Sequence, residues 1–524
     1  MICFAVSLPA SRQVTYTTHL YHVSKTKINS LDTLKHSLEE STGNNYNCCY
    51  QCGKCTAGCP AGSFMDNPPA KIMRLVQGGL IEEAMRSDAL WYCVGCQTCT
   101  ARCPQNMDIA ATMDSLRELA LEKDIVSDDK AKKLVTAFHV SFLNNVRKYG
   151  RLQELSLVNS YKLRTRTFTQ DVSSGVKMIM QGKINPLHNI GGKSSVKGRD
   201  QIEKIFAASE HHAPAPAPKR RPVKKEPAVT APVSIKPGMT IGYYPGCSLS
   251  GTAMEYDISV KKMCSLLGIN LQEIEDWNCC GATSAHATNH KLALLLPARN
   301  QALADAQGFD YVLAPCAACQ NRQVTTRKTL AESPELRKEV RSITGIEPTC
   351  TAEFISVTQL LEAIDPEEIK KRVVKPLEDL NLACYYGCLL VRPMEAMGFD
   401  DQENPVKMES LVASLGARPV NWAFKVECCG AGLTLAQQPL VEELTHNIAK
   451  NASINGADAF VVACPLCHAN LDMRQESMRK RFGDVKPMPV YYISELVAIA
   501  CGADPSEVAV GKHFVPALDM VSKQ

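Results

Sequence analysis

Two kinds of hydrophobic pattern divide the chain. Between residues 111 and 206, apolar side chains recur every three or four positions, for example at Met113, Leu116 and Ala120, which predicts a helical segment. A shorter stretch of the same kind spans 70–77. This part of the chain is therefore expected to be mainly α-helical.

In the C-terminal half, short apolar runs alternate with longer amphipathic stretches. The run 240–244 precedes a helical pattern at 253–267, and the run 460–463 precedes one at 469–481. A further apolar run lies at 311–314. Alternation of this kind predicts α/β units around a mainly parallel sheet.

The C-terminal half also repeats itself. A tyrosine–glycine–cysteine segment, an adjacent cysteine pair followed by glycine, and a Cys-x2-Cys element each occur twice, at offsets of 141, 149 and 148 residues. Spacing this constant indicates a duplicated domain of about 145 residues. The matching segments are 243–247 and 385–388, 279–281 and 428–430, and 316–319 and 464–467.

Proline and basic residues mark a linker before the duplicated part. Between His211 and Pro227, Ala-Pro repeats and a Lys/Arg run disfavour helix and strand pairing and predict an extended tether. The modules on its two sides are expected to fold separately. The predicted organisation is a loosely ordered lead-in at 1–45, a helical cysteine-containing module at 46–206, the linker at 207–237, and cysteine-rich α/β domains at 238–375 and 376–524.

Composition narrows the class of protein. The 524 residues are 45% hydrophobic and 21% charged, as in a globular protein, and a net charge of +4 with 6% aromatics argues against a nucleic-acid binder. No apolar run reaches the length of a membrane span, and residues 1–10 lack the basic start of an export signal. A cytoplasmic, reducing location is expected. Because such a location disfavours disulfides, the 24 cysteines predict metal or redox chemistry.

Eight cysteines of the helical module form two copies of one motif, Cys-x2-Cys-x2-Cys-x3-Cys-Pro. This is the spacing of a bacterial ferredoxin with two [4Fe-4S] clusters, in which three thiolates of one tight loop hold one cluster and the fourth reaches the other. Zinc sites usually show paired Cys-x2-Cys elements instead. One cluster is assigned to Cys49, Cys52, Cys55 and Cys103, and the other to Cys93, Cys96, Cys99 and Cys59.

Each duplicated domain offers five thiols from three places in the chain. The side chains of adjacent cysteines point away from each other and cannot easily chelate one tetrahedral ion. The pair is therefore better suited to a cluster with several irons. Glycine after the pair is expected to let the backbone turn closely past that cluster. The Cys-x2-Cys elements follow apolar runs, which predicts that they lie at the carboxyl ends of strands, where open α/β sheets bind ligands. The two sets are Cys247, Cys279, Cys280, Cys316 and Cys319, and Cys388, Cys428, Cys429, Cys464 and Cys467.

These motifs resemble a known family. The duplicated domains look like the B-type subunit of heterodisulfide reductase, and the segment 49–60 resembles its C-type subunit, over roughly residues 40–510 in all. The chain is thus similar to a natural fusion of the two, a multidomain protein with an α-helical ferredoxin-like module and a duplicated α/β cysteine-rich (CCG) domain. The resemblance implies two cubane [4Fe-4S] clusters and two non-cubane [4Fe-4S] clusters, with a disulfide bound between the non-cubane pair.

The resemblance also implies a reaction and partners. An iron–sulfur oxidoreductase of this kind would cleave a disulfide into two thiols, with Cys279, Cys280, Cys428 and Cys429 as catalytic residues. Electrons would come from a flavin-containing A-type subunit, fed by a hydrogenase or formate dehydrogenase module. No Gly-x-Gly-x-x-Gly fingerprint follows a predicted strand, so a partner is required. The alternatives are a non-catalytic electron relay, or thiol oxidation coupled to a quinone or membrane module.

Some residues near the motifs have two interpretations. Cys384 lies four residues before Cys388 and could replace it as a ligand, although the Tyr-x-Gly-Cys alignment favours Cys388. His468 could protonate a leaving thiolate, whereas a histidine satisfied by a local hydrogen bond is the commoner case. Trp277 and Trp422 precede the two cysteine pairs and are expected to shield the clusters from water.

Overall fold

The computed structural model describes residues 25–125, 130–183, 196–210 and 234–522. Most of the linker predicted at 207–237 lies outside these ranges. The helices before it are α1 (Lys25–Thr42), α2 (Lys54–Ala57), α3 (Pro69–Gln77), α4 (Ile81–Arg86), α5 (Ala89–Tyr92), α6 (Thr98–Ala101), α7 (Ile109–Glu122), α8 (Lys130–Tyr149), α9 (Glu154–Thr165), α10 (Val172–Met180) and α11 (Arg199–Glu210), with 3₁₀ turns at Tyr46–Cys48 and Gly62–Phe64.

One prediction for the N-terminal part is wrong. The segment 1–45 is predicted to be loosely ordered, and its first 24 residues lie outside the described ranges, but at 25–42 the chain forms α1, whose Leu38 is fully buried in the core of the ferredoxin-like module. Leu34 and Leu38, one helical turn apart, face that core. Thr42 closes the helix by donating its hydroxyl to the Leu38 carbonyl at 2.6 Å.

The first duplicated unit is a four-stranded parallel sheet with helices on its faces. Its strand order is β2-β1-β3-β4. Only the apolar runs of β1 and β3 were predicted as strands. Its elements are β1 (Thr240–Tyr243), α12 (Gly246–Leu249), α13 (Met254–Leu266), β2 (Asn270–Glu273), α14 (Ala282–His286), α15 (His290–Ala306), β3 (Tyr311–Leu313), α16 (Ala317–Glu332), α17 (Pro334–Thr344), β4 (Glu353–Ile355), α18 (Val357–Ala363) and α19 (Pro366–Arg372).

The second unit repeats this topology. Its sheet is also parallel, in the order β6-β5-β7-β8. The helix predicted at 469–481 is two helices that meet at Arg474. The elements are β5 (Asn381–Tyr385), α20 (Met394–Met397), α21 (Lys407–Ser414), β6 (Arg418–Pro419), α22 (Gln438–Ile454), β7 (Ala459–Val462), α23 (Pro465–Met473), α24 (Gln475–Phe482), β8 (Val490–Tyr492), α25 (Ile493–Ala500) and α26 (Leu518–Val521), with 3₁₀ turns at Ala431–Leu433 and Val510–Lys512.

The two units pack against each other through equivalent helices. Helix α13 of the first contacts α25 of the second, and α21 of the second contacts α18 of the first. At the first of these contacts, the rings of Tyr256 and Tyr492 stack with centroids 3.9 Å apart, and the hydroxyls of Ser259 and Ser494 lie 2.7 Å apart. The reciprocal pairing is that of an approximate twofold arrangement, with one hydrophobic core continuous across both sheets.

The modules also share cores, which contradicts the expectation that they fold separately on either side of the linker. Leu433, Leu440 and Val441 of the second unit belong to the core of the ferredoxin-like module. Phe142 and Val146 of α8 share a different core with α15 of the first unit. Each module buries apolar surface that its own helices leave exposed, so the contacts between modules contribute to the stability of both.

Candidate metal centres

The eight ferredoxin-like cysteines lie in two loops with the same backbone shape. In each loop the residue before and the residue after the second cysteine have left-handed backbone angles: Gln51 (φ 58°) and Gly53 (φ 76°) in one, Gly95 (φ 64°) and Gln97 (φ 60°) in the other. Two left-handed residues this close together curl the chain tightly. The two loops therefore share one backbone conformation around their second cysteines.

The fourth cysteine of each motif lies with the other loop, as the spacing predicts. Burial raises the pKa of the Cys59 thiol, and the thiols of Cys96 and Cys93 raise it further. Burial likewise raises the pKa of Cys55, with contributions from Cys103 and Cys49. The structure therefore brings together the two groups of four that the sequence proposes.

The five-cysteine sets lie at the carboxyl ends of three neighbouring strands. In the first unit Cys247 follows β1, the adjacent pair follows β2, and Cys316 and Cys319 begin α16 after β3. Because β2, β1 and β3 are neighbours in the sheet, the three segments converge at one edge. The second unit repeats this with β6, β5 and β7.

The two members of each adjacent pair contact different thiols. Cys279 contacts Cys247, and Cys280 lies 3.4 Å from Cys319 measured between sulfurs; the neighbours also contact each other. In the second unit the corresponding sulfur distances are 3.8 Å for Cys388–Cys428 and 3.9 Å for Cys429–Cys467. This divergence is the geometry that was expected for a multi-iron object.

Two glycines that sequence reasoning missed lie directly against the thiols. A Cβ atom at Gly387 (φ 67°) would lie 2.8 Å from the Cys467 sulfur, and one at Gly246 (φ 67°) would lie 3.0 Å from the Cys319 sulfur. Gly281, after the first cysteine pair, has a different role: a Cβ there would lie 2.7 Å from the Cβ of Ala285, so that face is closed by helix α14. The signal for the missed glycines was the repeated Gly-Cys at 246–247 and 387–388.

Aromatic residues hold the loops that carry the cysteine pairs. The Tyr244 hydroxyl donates to the Asn278 carbonyl at 2.8 Å, and the Tyr385 hydroxyl donates to the Glu427 carbonyl at 2.6 Å. Each acceptor immediately precedes a cysteine pair. Trp277 and Trp422 are buried against these tyrosines, so they form a second layer behind the thiols.

The thiol groups continue from one module into the next. The contact with Cys428 lowers the pKa of Cys96 to about 6, with a smaller effect of Thr98 in the same direction. Cys464 of the second unit contacts Cys316 of the first, and this contact lowers the pKa of Cys464. One ferredoxin-like group, the second five-thiol set and the first five-thiol set thus form a connected series.

A buried arginine fastens the ferredoxin-like loop to the second unit. The Arg392 guanidinium donates to the Thr98 hydroxyl at 2.7 Å and to the Val426 carbonyl at 3.1 Å, and it pairs with Glu403 at 3.1 Å. Arg102 pairs with the same carboxylate at 2.7 Å. The sequence carries no motif that predicts this connection.

The residues with two interpretations have defined surroundings. Cys384 is buried in β5, where burial raises its pKa and the charges that act on it are Glu409 and Lys425, whereas Cys388 contacts Cys428. His468 is buried with Nε2 3.0 Å from the Val490 carbonyl. Its surroundings are those of a structural histidine.

The arrangement fits iron–sulfur clusters. The converging donors are all thiols, which is the ligand type that such clusters take. Backbone amides donate to three of the sulfurs: Leu152 N to Cys247 (3.3 Å), Ala282 N to Cys280 (3.4 Å) and Gly430 N to Cys428 (3.4 Å). Such bonds stabilise charge on coordinated sulfur and tune cluster potential. Within the ranges that the structure describes, none of the helices is both long and apolar enough to cross a membrane.

Comparisons with known proteins match both parts of the chain. A 4Fe-4S dicluster domain model matches residues 48–107, and a cysteine-rich domain model matches 241–322 and 382–472. The 8-methylmenaquinol:fumarate reductase membrane anchor subunit of Wolinella succinogenes is 33% identical over 281 residues, which is 52% of this chain and 96% of that protein.

Two further relatives match separate parts of the chain. The B-type subunit of the ferredoxin/F420H2-dependent CoB-CoM heterodisulfide reductase of Methanosarcina acetivorans is 28% identical over 54% of this chain and 96% of its own length. The C-type iron-sulfur subunit of the CoB–CoM heterodisulfide reductase of Methanopyrus kandleri is 39% identical over 19% of this chain and 52% of its own length. The predicted fold class, a ferredoxin-like module followed by duplicated α/β cysteine-rich domains, is confirmed.

Proposed function

The chain belongs to the heterodisulfide reductase family of iron–sulfur oxidoreductases, in which it joins a C-type region to a B-type region, and we propose that it is the disulfide-reducing subunit of a complex. In the reaction, two electrons and two protons convert RS–SR′ into RSH and R′SH. The sulfur–sulfur bond breaks, and each sulfur gains one electron and one proton.

The proposed cofactors are two cubane and two non-cubane [4Fe-4S] clusters. When bound, they supply one-electron transfer. The eight ferredoxin-like thiols are the proposed ligands of the cubane pair, and the two five-thiol sets are those of the non-cubane pair. The contact between Cys388 and Cys428 supports Cys388, rather than Cys384, as the ligand in the second unit.

The observation that carries the proposal is the series of thiol contacts between the modules. Cys96 contacts Cys428, and Cys464 contacts Cys316. The second contact is where the two five-thiol sets meet, so a disulfide bound there has thiol groups of both sets beside it. We assign the catalytic role to the adjacent pairs Cys279–Cys280 and Cys428–Cys429. Within each five-thiol set, the two members of the pair contact different thiols of the same set.

The other ferredoxin-like group, whose Cys55 acts on Cys59 of the group in the series, is more exposed, which supports entry of electrons from a partner there. Cys52 is exposed and Cys49 is partly exposed, and Tyr50 between them is 59% exposed. The thiols of the other groups are mostly buried. A flavin-containing A-type subunit, fed by a hydrogenase or formate dehydrogenase module, is the proposed donor, and this loop is its proposed docking point.

The test is turnover by the purified chain with its clusters intact. Reduced viologen serves as the donor, the mixed disulfide of cysteine and glutathione as the substrate, and thiol formation as the readout. Cys429→Ala should abolish thiol formation while viologen still bleaches the ferredoxin-type absorbance. Cys52→Ala should slow electron entry, and Cys48→Ala, an exposed thiol outside the motif, is the matched control. Wild-type thiol formation by Cys429→Ala would place the chemistry elsewhere.

A second candidate function is electron exchange with a quinol-linked membrane module, with the sites acting as a relay or in thiol oxidation. It is favoured by the 33% identity to a subunit named for 8-methylmenaquinol:fumarate reductase. The discriminating result is bleaching or reduction of the clusters by a water-soluble menaquinol analogue in a preparation that reduces no disulfide. Disulfide turnover without any response to the quinol would exclude it.

A further inference from the structure

The outer surface of α9, α10 and their connection is unusually apolar. Six large hydrophobic side chains between residues 163 and 180 are between 47% and 82% exposed. They make up six of the thirteen large hydrophobic residues that are exposed among the described parts of the chain. An exposed apolar cluster of this kind marks an interaction surface. We call it the 163–180 patch, and its residues are Leu163, Phe168, Val172, Val176, Ile179 and Met180.

Helix α10 exposes its apolar face, whereas a typical surface helix packs that face on the core. None of its residues is buried. It is held instead by polar contacts: Lys177 donates to the Phe514 carbonyl at 2.9 Å, and Gln181, just after the helix, donates to the His513 carbonyl at 2.9 Å. At its start, Asp171 pairs with Arg474 at 3.1 Å. Polar groups fix the helix to the second unit, and its apolar face points outward.

The charge of the same stretch indicates what it contacts. Residues 162–180 contain four Lys or Arg and one acidic residue, a net charge of 4 − 1 = +3. The acidic residue is Asp171, which is neutralised by Arg474. Arg164 and Arg166 are exposed beside Leu163. The basic run 219–227 of the linker carries a net charge of 5 − 1 = +4, so the remainder of the chain is −3.

We propose that the 163–180 patch docks on an anionic lipid bilayer. Interfacial segments that lie in the membrane plane have this composition: apolar residues such as Phe, Leu, Ile and Met on one face, with Arg and Lys at its border. Anionic headgroups attract basic residues near the surface, within the screening length of the salt. The exposed Arg164 and Arg166 would face such headgroups, and the apolar side chains would enter the acyl boundary. This attachment is separate from the thiol sites and from the proposed disulfide reduction.

Vesicle flotation tests the proposal with the full chain and its clusters intact. Vesicles of phosphatidylcholine with about a third phosphatidylglycerol should carry the protein, and pure phosphatidylcholine should carry much less. Ile179→Ser/Met180→Ser should reduce the bound fraction about tenfold, and Arg164→Gln/Arg166→Gln should reduce binding at low salt. Ile454→Ser, equally apolar and 74% exposed on the second unit, is the matched control and should bind as wild type.

Iron content and the circular dichroism spectrum check that each variant is folded, since all the changed side chains are exposed. Absence of wild-type binding to anionic vesicles would overturn the proposal. Equal binding by the Ile179/Met180 variant would show that another surface carries the attachment, and would overturn it as well. If that variant instead lost association with a partner subunit and kept its vesicle binding, the patch would be a protein interface.

Discussion

The glycine before the first cysteine of each five-thiol set is predicted to be required for cluster binding. In Gly387→Ala, the added Cβ would lie 2.8 Å from the Cys467 sulfur, about 1 Å closer than an ordinary contact of about 3.5–4 Å. The sulfur has to move by a similar distance. Metal–ligand distances usually stay within about 0.2 Å of their ideal values, so a sulfur displaced by much more than this is expected to leave the coordination range, and the proposed cluster of the second unit is expected to be lost.

Backbone strain alone does not account for this expected loss. Alanine at Gly387 (φ 67°) also enters a left-handed conformation, which costs about 1–2 kcal/mol. Gly483→Ala is the matched control: it lies in the same unit with φ 77°, and a Cβ there meets nothing within 4 Å. Both variants should lose about 1–2 kcal/mol of stability, but only Gly387→Ala should lose a cluster.

The assay is anaerobic determination of iron and acid-labile sulfide per chain. The four proposed clusters correspond to about sixteen irons, so wild type and Gly483→Ala should contain about sixteen and Gly387→Ala about twelve. Retained ferredoxin-type absorbance in Gly387→Ala shows that the chain has folded. Full iron content and wild-type thiol formation in Gly387→Ala would refute the argument that this glycine makes room for the sulfur.

Three other predictions test separate parts of the structure. Cys384→Ala should keep full iron content while Cys388→Ala loses iron, as measured by the same analysis, because Cys388 contacts Cys428 and Cys384 lies in β5. Arg392→Met removes charged hydrogen bonds worth about 3 kcal/mol between modules; stopped-flow reduction should show normal bleaching of the ferredoxin-type absorbance but slower thiol formation. In the folded chain, burial raises the pKa of Glu154 to about 7, whereas its pKa in the unfolded chain is about 4.5. The folded state therefore binds a proton at Glu154 more tightly than the unfolded state does. The resulting stabilisation of about 3 kcal/mol is complete below pH 4.5 and is lost as pH rises through 7. Glu154→Gln should therefore flatten the pH dependence of the urea midpoint between about pH 5 and 8, and a dependence identical to wild type would contradict this assignment.

The parts of the fold that the sequence predicted are those whose physics is local. β1, β3 and β7 are buried and apolar, so each appears as a hydrophobic run. β2 and β6 lie at sheet edges with largely exposed side chains, and β6 is only Arg418–Pro419. Edge strands such as these have no continuous apolar pattern, because only one side is paired and little of their surface is buried.

The thiol sets were predictable because a cluster imposes its ligand spacing on the sequence. The contacts between modules impose no comparable pattern. Leu440 and Val441 lie on an amphipathic helix whose periodicity is the same whether its apolar face covers its own sheet or the ferredoxin-like core. Arg392 resembles any surface arginine in the sequence, and only the fold reveals that it is buried between Thr98 and Val426.

The same difference between local and long-range information explains why the duplicated units are not equivalent. The equivalent residues Cys279 and Cys428 are covered by different segments of the chain. The backbone amide of Cys279 donates to the Gly150 carbonyl at 2.9 Å, in the segment between α8 and α9, whereas the thiol of Cys428 contacts Cys96 of the ferredoxin-like module.

Duplication supplied two similar thiol sets, and the helical segment covers one where the ferredoxin-like loop contacts the other. Among the described residues, the second unit therefore has the direct thiol contact to the ferredoxin-like module, and the first is reached through Cys464 and Cys316. A variant that empties the second set should consequently isolate the first set from the donor, whereas a variant that empties the first set should leave the second reducible.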